Sequence, residues 1–236
     1  MRVNAVFGFG VNNFARAWFR VVLAVILSVS LNALAEAVPD AAPDAHASTL
    51  FAAARPWLLA ATQDGTQVYS SKVEGSPYFA IKAITLIKSD VESVVGAFDG
   101  KHAQKNGCSP WRQMCKTSRV LSKPTELSSY VYSVLDMPWP LSDRDIVARS
   151  QLTIDGERGV VILDILSDAS HYPLQDHVRA DANIRYVFRR LKEDLTEVTY
   201  MNHTNLNGGV PASLFNSQVI SSTAKEMSAL KRFVES

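Results

Sequence analysis

Two long segments of the sequence alternate between apolar and polar residues, and this alternation constrains the fold more than any other feature. Successive side chains of a β-strand point to opposite faces of a sheet, so the pattern predicts strands with one buried face and one solvated face. Such strands are typical of an antiparallel sheet. The two segments are Arg144–Ile154 and Ile184–Leu191, and in the second Ile184, Tyr186 and Phe188 oppose Arg185 and Arg189.

Six further segments have the composition of strands and are separated by turn residues such as Asp155-Gly156 and Glu193-Asp194. They are Gln67–Val73, Tyr78–Lys88, Thr117–Leu121, Ser129–Asp136, Gly159–Leu166 and Thr196–Leu206. The chain is therefore expected to form one meandering antiparallel sheet of seven or eight strands.

Helical patterns bracket these strands. The first runs from Ser48 or Thr49 to a stop at Gly65, and a short helix is expected over Val91–Phe98. The last begins at Val210-Pro211 and continues to about Val234. Its apolar stripe recurs at spacings of three and four and consists of Phe215, Val219, Thr223, Met227, Leu230 and Val234. An α+β fold follows, in which a curved sheet wraps around the long C-terminal helix and leaves a cavity suited to an apolar ligand.

The N-terminus follows a different pattern. Residues 1–20 contain three arginines and no acid, a short apolar run from Val21 follows, and Ala33-Leu34-Ala35 forms an A-x-A site. This is typical of a secretory signal peptide over residues 1–35. An uncleaved anchor is the alternative, although only about 11 residues are solidly apolar where a span needs roughly 20. Residues 36–48 are rich in Ala, Pro and Asp and predict a flexible leader before a domain at 49–236.

Composition excludes several classes of function. The 236 residues carry 24 Lys and Arg against 23 Asp and Glu, so there is no basic field for nucleic acid. The charged fraction of 20% is too low, and the apolar fraction of 47% too high, for a disordered chain. Apart from the N-terminus, no apolar stretch is long enough to span a bilayer.

Two cysteines, Cys108 and Cys115, have six residues between them and lie in a loop that contains Pro110. After export into an oxidising compartment, such a pair is expected to form a disulfide. Free thiols, or a metal or redox pair, are the alternatives, although C-x6-C matches neither a redox nor a zinc spacing.

Catalytic motifs are absent from the sequence: it has no G-x-S-x-G, no H-E-x-x-H and no P-loop. His171 and His177, which flank a turn with Asp176, form the best acid–base or metal constellation available. Solvated loop histidines are the simpler interpretation. We expect no catalytic residue, no metal and no cofactor.

The segment Asp136–Val147 reads DMPWPLSDRDIV and resembles the PWP-(V/L)-SDRD-(F/Y/L)-V signature of START domains, the lipid-transfer domains related to the steroidogenic acute regulatory protein. The remaining motifs follow in the family's order. Trp57 precedes Asp64-Gly65 and Val68-Tyr69, the pair Trp111 and Cys115 matches the family's W…C loop, and Asn207–Pro211 resembles its GG-(I/V)-P motif. The resemblance spans about residues 50–235.

This resemblance implies a helix-grip fold (START or Bet v 1-like) with a hydrophobic tunnel that holds one lipid or sterol-like molecule under the C-terminal helix. An exported member would carry or sense this ligand in the periplasm, as a monomer with transient membrane contact. The alternatives are a cyclase- or aromatase-like or hydrolytic enzyme on a small apolar substrate, and an interaction module whose cavity is filled by its own side chains. The residues predicted to contact the ligand are Ile81, Tyr132, Arg144, Ile146, Tyr186, Phe188, Tyr200, Asn202, Phe215, Val219 and Met227.

Arg144 has a second interpretation. It shares strand positions with Ile146, so it is expected to point inward, where a buried arginine needs a partner. Asp143, Asp145 or the backbone near Trp139-Pro140 would supply acceptors, and Arg144 would then brace the loop. Contact with a polar headgroup is the alternative.

Overall fold

The computed structural model describes residues 50–52 and 56–236 of the chain. The predicted signal peptide and leader lie outside these residues. Within residues 56–236, ten strands and two α-helices form one layer of sheet with a helix packed on it, which confirms the predicted α+β helix-grip architecture. No helix within the described ranges is both long enough and apolar enough to cross a bilayer.

The strands follow one another closely along the chain. They are β1 (Leu58–Gln63), β2 (Thr66–Ser71), β3 (Ala80–Ile87), β4 (Cys115–Thr125), β5 (Ser128–Leu135), β6 (Arg144–Asp155), β7 (Val160–Ser167), β8 (Val178–Arg179), β9 (Asp181–Lys192) and β10 (Leu195–Asn205). The helices are α1 (Val91–Gly96) and α2 (Ala212–Val234), and a single 3-10 turn covers Ala169–His171.

The strand order is β1-β2-β3-β10-β9-β7-β6-β5-β4, and every neighbouring pair in this path is antiparallel. β8 pairs with β6 in parallel. Because β3 and β10 are far apart in sequence, their pairing brings the N-terminal hairpin to the C-terminal half of the sheet.

The first predicted helix is wrong beyond its opening residues. Leu58–Gln63 forms β1, which pairs with β2 across a two-residue turn. Both turn residues have positive φ, 50° at Asp64 and 78° at Gly65, as a type I′ hairpin requires. The glycine that resembled a helix stop is therefore the second residue of a hairpin turn.

Helix α2 buries the predicted stripe except for the half-buried Val234, and it contacts β1, β2 and β3. At its start, the Asn216 side chain accepts from Phe79 N at 2.9 Å and donates to Pro77 O at 3.2 Å. Beyond its end, Glu235 accepts from Lys88 N at 2.7 Å. These contacts fix both ends of α2 to loops that flank β3.

Candidate ligand-binding cavity

A cavity of about 80 Å³ lies between α2 and the concave face of the sheet. A second cavity of about 50 Å³ adjoins it, and the two share Arg112, Leu135, Ile146 and Ile184 in their walls. Leu135, Ile146 and Ile184 come from β5, β6 and β9, whose inward side chains form the floor. The cavity walls are mainly apolar. Their polar side chains come from β10, α2 and the loop that carries Arg112 and, in the second cavity, also from β4 and β5.

Six of the residues predicted to contact a ligand converge on the larger cavity. They are Ile146, Tyr200, Asn202, Phe215, Val219 and Met227. The sheet supplies the first three and α2 the last three, because both elements turn one periodic face toward the same space. Their contact with a ligand stays a prediction.

Three other predicted residues, Ile81, Tyr186 and Phe188, belong to the solid core and line neither cavity. The ring of Phe98 packs 4.8 Å from Tyr186 and 5.3 Å from Phe188, measured between centroids. Phe98, in the turn that follows α1, therefore already packs against Tyr186 and Phe188.

Tyr132 was expected to face inward, and the structure places it on the opposite face of β5. There it packs with Val134 and Val147 in a separate cluster, and Tyr172 covers it at 5.1 Å between ring centroids. Both faces of β5 carry apolar residues, so alternation alone does not identify the inner one.

Arg144 is buried but does not line either cavity. Its Nε donates to Leu206 O at 2.9 Å, and its guanidinium also donates to Ser142 Oγ at 2.8 Å and to Ser142 O. Arg144 thus braces the β5–β6 loop against the segment after β10 through carbonyls. The expected carboxylate partners are engaged elsewhere, Asp143 with Lys116 and Asp145 with Arg179.

A half-buried ion pair that the sequence analysis did not identify lies in the cavity wall. Arg112 Nε is 3.3 Å from Glu226 Oε1, and these side chains are 22% and 16% exposed. Nε has no hydrogen-bond partner, so its N–H is not directed at the carboxylate. Burial raises the pKa of the Glu226 carboxyl, although the Arg112 guanidinium and the N–H of Gln113 act against this rise.

One of these two residues has a signal in the sequence. Glu226 falls seven residues after Val219 and three after Thr223, so it lies on the apolar stripe of α2. An acid at such a position indicates a buried polar contact. Arg112 lies in an irregular loop, where no periodicity reveals its direction.

The loop that carries Arg112 is closed by the Cys108–Cys115 disulfide, which confirms the predicted pairing. Trp111 anchors the same loop, because its Nε1 donates to Ala97 O at 3.1 Å and its side chain is fully buried. Gly107, with a φ of 82°, lets the loop approach β4, since a Cβ there would lie 1.8 Å from Ser118 O.

His171 and His177 do not line either cavity. The ring of His171 stacks on Tyr130 at 3.5 Å, and its Nδ1 lies 3.0 Å from Asp168 Oδ2. The acid–base constellation considered for an enzyme is therefore not assembled at the cavity.

Three comparisons relate this architecture to known proteins. An uncharacterised protein of Pseudomonas aeruginosa is 30% identical over 188 residues, which are 78% of this chain and 89% of that protein. The crystal structure of a STAR-related lipid transfer protein fragment from Xanthomonas axonopodis is 26% identical and superimposes with a TM-score of 0.68, over 76% of this chain and 99% of the fragment. Human StAR-related lipid transfer protein 5 superimposes with a TM-score of 0.67 at 16% identity, over 76% of this chain and 86% of that structure.

The family model of the START domain matches residues 44–236. This match covers the whole sheet, the disulfide loop and α2, and so includes every wall of the cavity. START domains bind lipids and other hydrophobic ligands, and this chain belongs to the START domain family.

Proposed function

We propose that the protein binds one hydrophobic ligand, a lipid or a sterol-like molecule, beneath α2 and carries or senses it in the periplasm. The observation that carries this proposal is the internal cavity between α2 and the sheet, with a mainly apolar wall. A ligand of this kind gains roughly 0.8 kcal/mol for each methylene removed from water.

The cavity is smaller than the roughly 300–1,000 Å³ of typical ligand sites. We therefore assign α2 the role of a lid whose middle moves outward when the ligand enters. Side-chain and backbone hydrogen bonds fix both ends of the helix, whereas its middle faces the cavity through Val219, Thr223 and Met227. Displacing the middle enlarges the cavity without separating α2 from the sheet at its ends.

Membrane contact is assigned to the β5–β6 loop. Trp139 at its tip is 92% exposed, whereas Met137 at its base lines the cavity. An exposed tryptophan next to a cavity wall suits the boundary between water and lipid, where an amphipathic ring is favoured. Replacing Trp139 by Ala is expected to slow exchange of ligand with vesicles while leaving binding of ligand in solution unchanged.

The periplasmic location is supported by the pattern of residues 1–35 and by the disulfide, because disulfides persist in oxidising compartments. Expression of the full-length chain in a bacterium, followed by fractionation and intact-mass measurement, tests it. Release from the periplasm of a chain that begins at Glu36 supports the proposal. An uncleaved chain in the membrane fraction would replace it with the anchored alternative.

The same preparation tests ligand binding. Purification without detergent and native mass spectrometry are expected to show a stoichiometric adduct that organic extraction removes. A protein that is empty and also ignores a panel of lipids would favour the module with a filled cavity.

Variants of α2 test the lid. Met227→Trp and Phe215→Trp insert bulk into the cavity wall and are expected to lower ligand loading severalfold, with an overpacking cost of about 1–3 kcal/mol. Gln218→Trp, on the exposed side of the same helix, is the matched control. Unchanged loading in both wall variants would contradict the lid assignment.

A further inference from the structure

A serine and a histidine lie together on the side of β10 that faces away from the cavity. Ser76 Oγ, in the loop between β2 and β3, is 3.0 Å from His203 Nε2. Asn202 and Thr204 line the larger cavity, so the alternation of β10 directs His203 to the opposite face of the sheet. Neither Ser76 nor His203 lines either cavity. The pair is therefore a site separate from the proposed ligand cavity.

The hydrogen bonds of Ser76 indicate where its hydroxyl proton points. The N–H of Tyr78 donates to Ser76 Oγ at 3.1 Å and uses one lone pair of that oxygen. The hydroxyl then directs its own proton to its other partner, His203 Nε2, which accepts when the ring proton is on Nδ1. A hydroxyl that donates to an imidazole nitrogen is the arrangement of a nucleophile with its general base.

The surroundings of His203 keep its ring neutral. The side chain is 8% exposed, and burial lowers the pKa of His203 below its ordinary value of 6.5, although a hydrogen bond to the Tyr78 backbone acts against this change. At neutral pH the imidazole is therefore uncharged, and Nε2 keeps the lone pair that takes up a proton.

Ser76 can be reached from solvent. It is half-buried and lies between the exposed residues Gly75 and Pro77. A Cβ placed on Gly75 would meet no atom within 4 Å, so open space adjoins the hydroxyl. Among the described residues, no acceptor bonds the backbone N–H groups of Glu74 and Gly75, which leaves them available to a substrate oxygen. An open site of this kind suits a short acyl group.

A second serine–histidine pair in the molecule has a different arrangement. Ser170 Oγ is 3.2 Å from His171 Nδ1, but it donates its proton to Asp168 Oδ1 at 2.6 Å. The same His171 nitrogen is 3.0 Å from Asp168 Oδ2. The carboxylate thus accepts from the serine in place of the imidazole. This pair provides a matched control for Ser76 and His203.

We propose that Ser76 and His203 form a nucleophilic dyad that takes a short acyl group from a carboxylic ester. Ser76 Oγ attacks the carbonyl carbon while its proton passes to His203 Nε2. The intermediate then expels the alcohol oxygen, which takes that proton, and an acyl ester of Ser76 remains. Water adds to this ester by the same proton route and releases the acid and the free serine. The inference does not depend on the proposed function, because it uses other residues.

Hydrolysis of 4-nitrophenyl acetate by the purified protein tests the dyad. Release of nitrophenolate is expected to exceed that in buffer, and acid quenching followed by peptide mapping is expected to find the acetyl group on Ser76. His203→Gln should lower the rate about 100-fold, because the general base is lost. Ser76→Ala should lower the rate to that of buffer and leave no acetyl group on the peptide. Ser170→Ala should keep the wild-type rate.

The acetylated position in the wild type tests the inference even if His203→Gln does not fold. Acetyl groups found only on lysines, or release of nitrophenolate no faster than in buffer, would overturn the dyad. Equal rates in the wild type and Ser76→Ala would overturn it as well. Each of these results leaves the proposed binding of a hydrophobic ligand intact, since native mass spectrometry tests that binding separately.

Discussion

Two arginine–carboxylate pairs in this molecule, one buried and one half-buried, differ in how completely they are bonded. On the outer face of the sheet, Arg179 contacts Asp145 through two bonds, Nε to Oδ1 at 2.6 Å and a terminal nitrogen to Oδ2 at 3.2 Å. Its remaining donors reach the carbonyls of Tyr172 and Pro173. In the cavity wall, Arg112 and Glu226 are 3.3 Å apart and Nε has no partner.

This difference separates a pair that is bonded on several sides from a pair held by charge alone. Arg179 makes four hydrogen bonds within the protein, so it fixes the segment before β8 to β6. Arg112 lines both cavities, but its Nε is buried and has no hydrogen-bond partner.

The largest expected effect comes from breaking the pair of Arg179 and Asp145. Asp145→Ala leaves the guanidinium of Arg179 buried without a counter-charge, and the free energy of unfolding is expected to fall by about 3–5 kcal/mol. Urea denaturation measures this loss. Arg158→Ala, in an exposed ion pair with Asp155, is the control and should cost less than about 1 kcal/mol. Similar losses in the two variants would remove the distinction between buried and exposed pairs.

A smaller effect is expected at the loop that carries Arg112. Replacing Cys108 and Cys115 together by Ser opens a short loop, and the chain-entropy argument gives a loss of about 2–3 kcal/mol. Urea denaturation of the wild type with and without a reducing agent provides an independent estimate. A double variant as stable as the oxidised wild type would show that other contacts, such as that of Trp111, fix the loop.

Replacing both partners should distinguish the two pairs most sharply. Arg112→Met with Glu226→Met is expected to leave the stability of the empty protein within about 1 kcal/mol of the wild type, because poorly bonded buried pairs gain little over apolar contacts. Arg179→Met with Asp145→Leu should lose more than about 2 kcal/mol, since the carbonyls of Tyr172 and Pro173 also lose their donors. Equal losses would contradict the comparison.

The smallest effect is expected at His203. Its side chain is buried, and Ser76 Oγ lies 3.0 Å from its Nε2. Burial lowers the pKa of His203 below its ordinary value of 6.5. The unfolded chain then takes up the proton first as the pH falls through 6.5, so protonation at this position destabilises the fold at acidic pH.

Between about pH 7 and about pH 5, His203→Gln should therefore lose less stability than the wild type does. The urea midpoint at each pH measures this difference. His102→Gln, on the surface, is the control. An unaltered pH profile in His203→Gln would assign the fall to other groups.

The architecture was predictable because its main elements have strong periodicity. Arg144–Ile154 alternates between apolar and polar residues along most of its length, and the α2 stripe recurs over several helical turns. Both elements occur in the structure nearly as expected. β1 was not predicted, because its apolar residues also fit a helix and the Asp64-Gly65 turn resembles a helix stop. Hairpin formation depends on pairing with β2, which is a tertiary contact.

The cavity was only partly predictable, because alternation shows that two faces exist without identifying the inner one. For β6 the prediction that Ile146 faces inward is correct. For β5 the prediction that Tyr132 faces inward is wrong. An aromatic side chain in an alternating strand is expected to face the core, yet Tyr132 lies on the outer face, where Tyr172 covers it. The position of Arg112 in the cavity wall depends on the conformation of its loop, which the disulfide and Trp111 determine together.

The sheet does not close into a barrel, and within the described residues β4 is at one end of the strand order. This strand carries Lys116, Arg119, Lys123 and Pro124 on exposed positions, and its pairing with β5 is interrupted by three irregularities. Positive charges, a missing backbone donor and bulges all oppose the addition of another strand. At high protein concentration, a second copy of the chain therefore cannot extend the sheet at β4 without bringing like charges together, and aggregation through this edge is disfavoured.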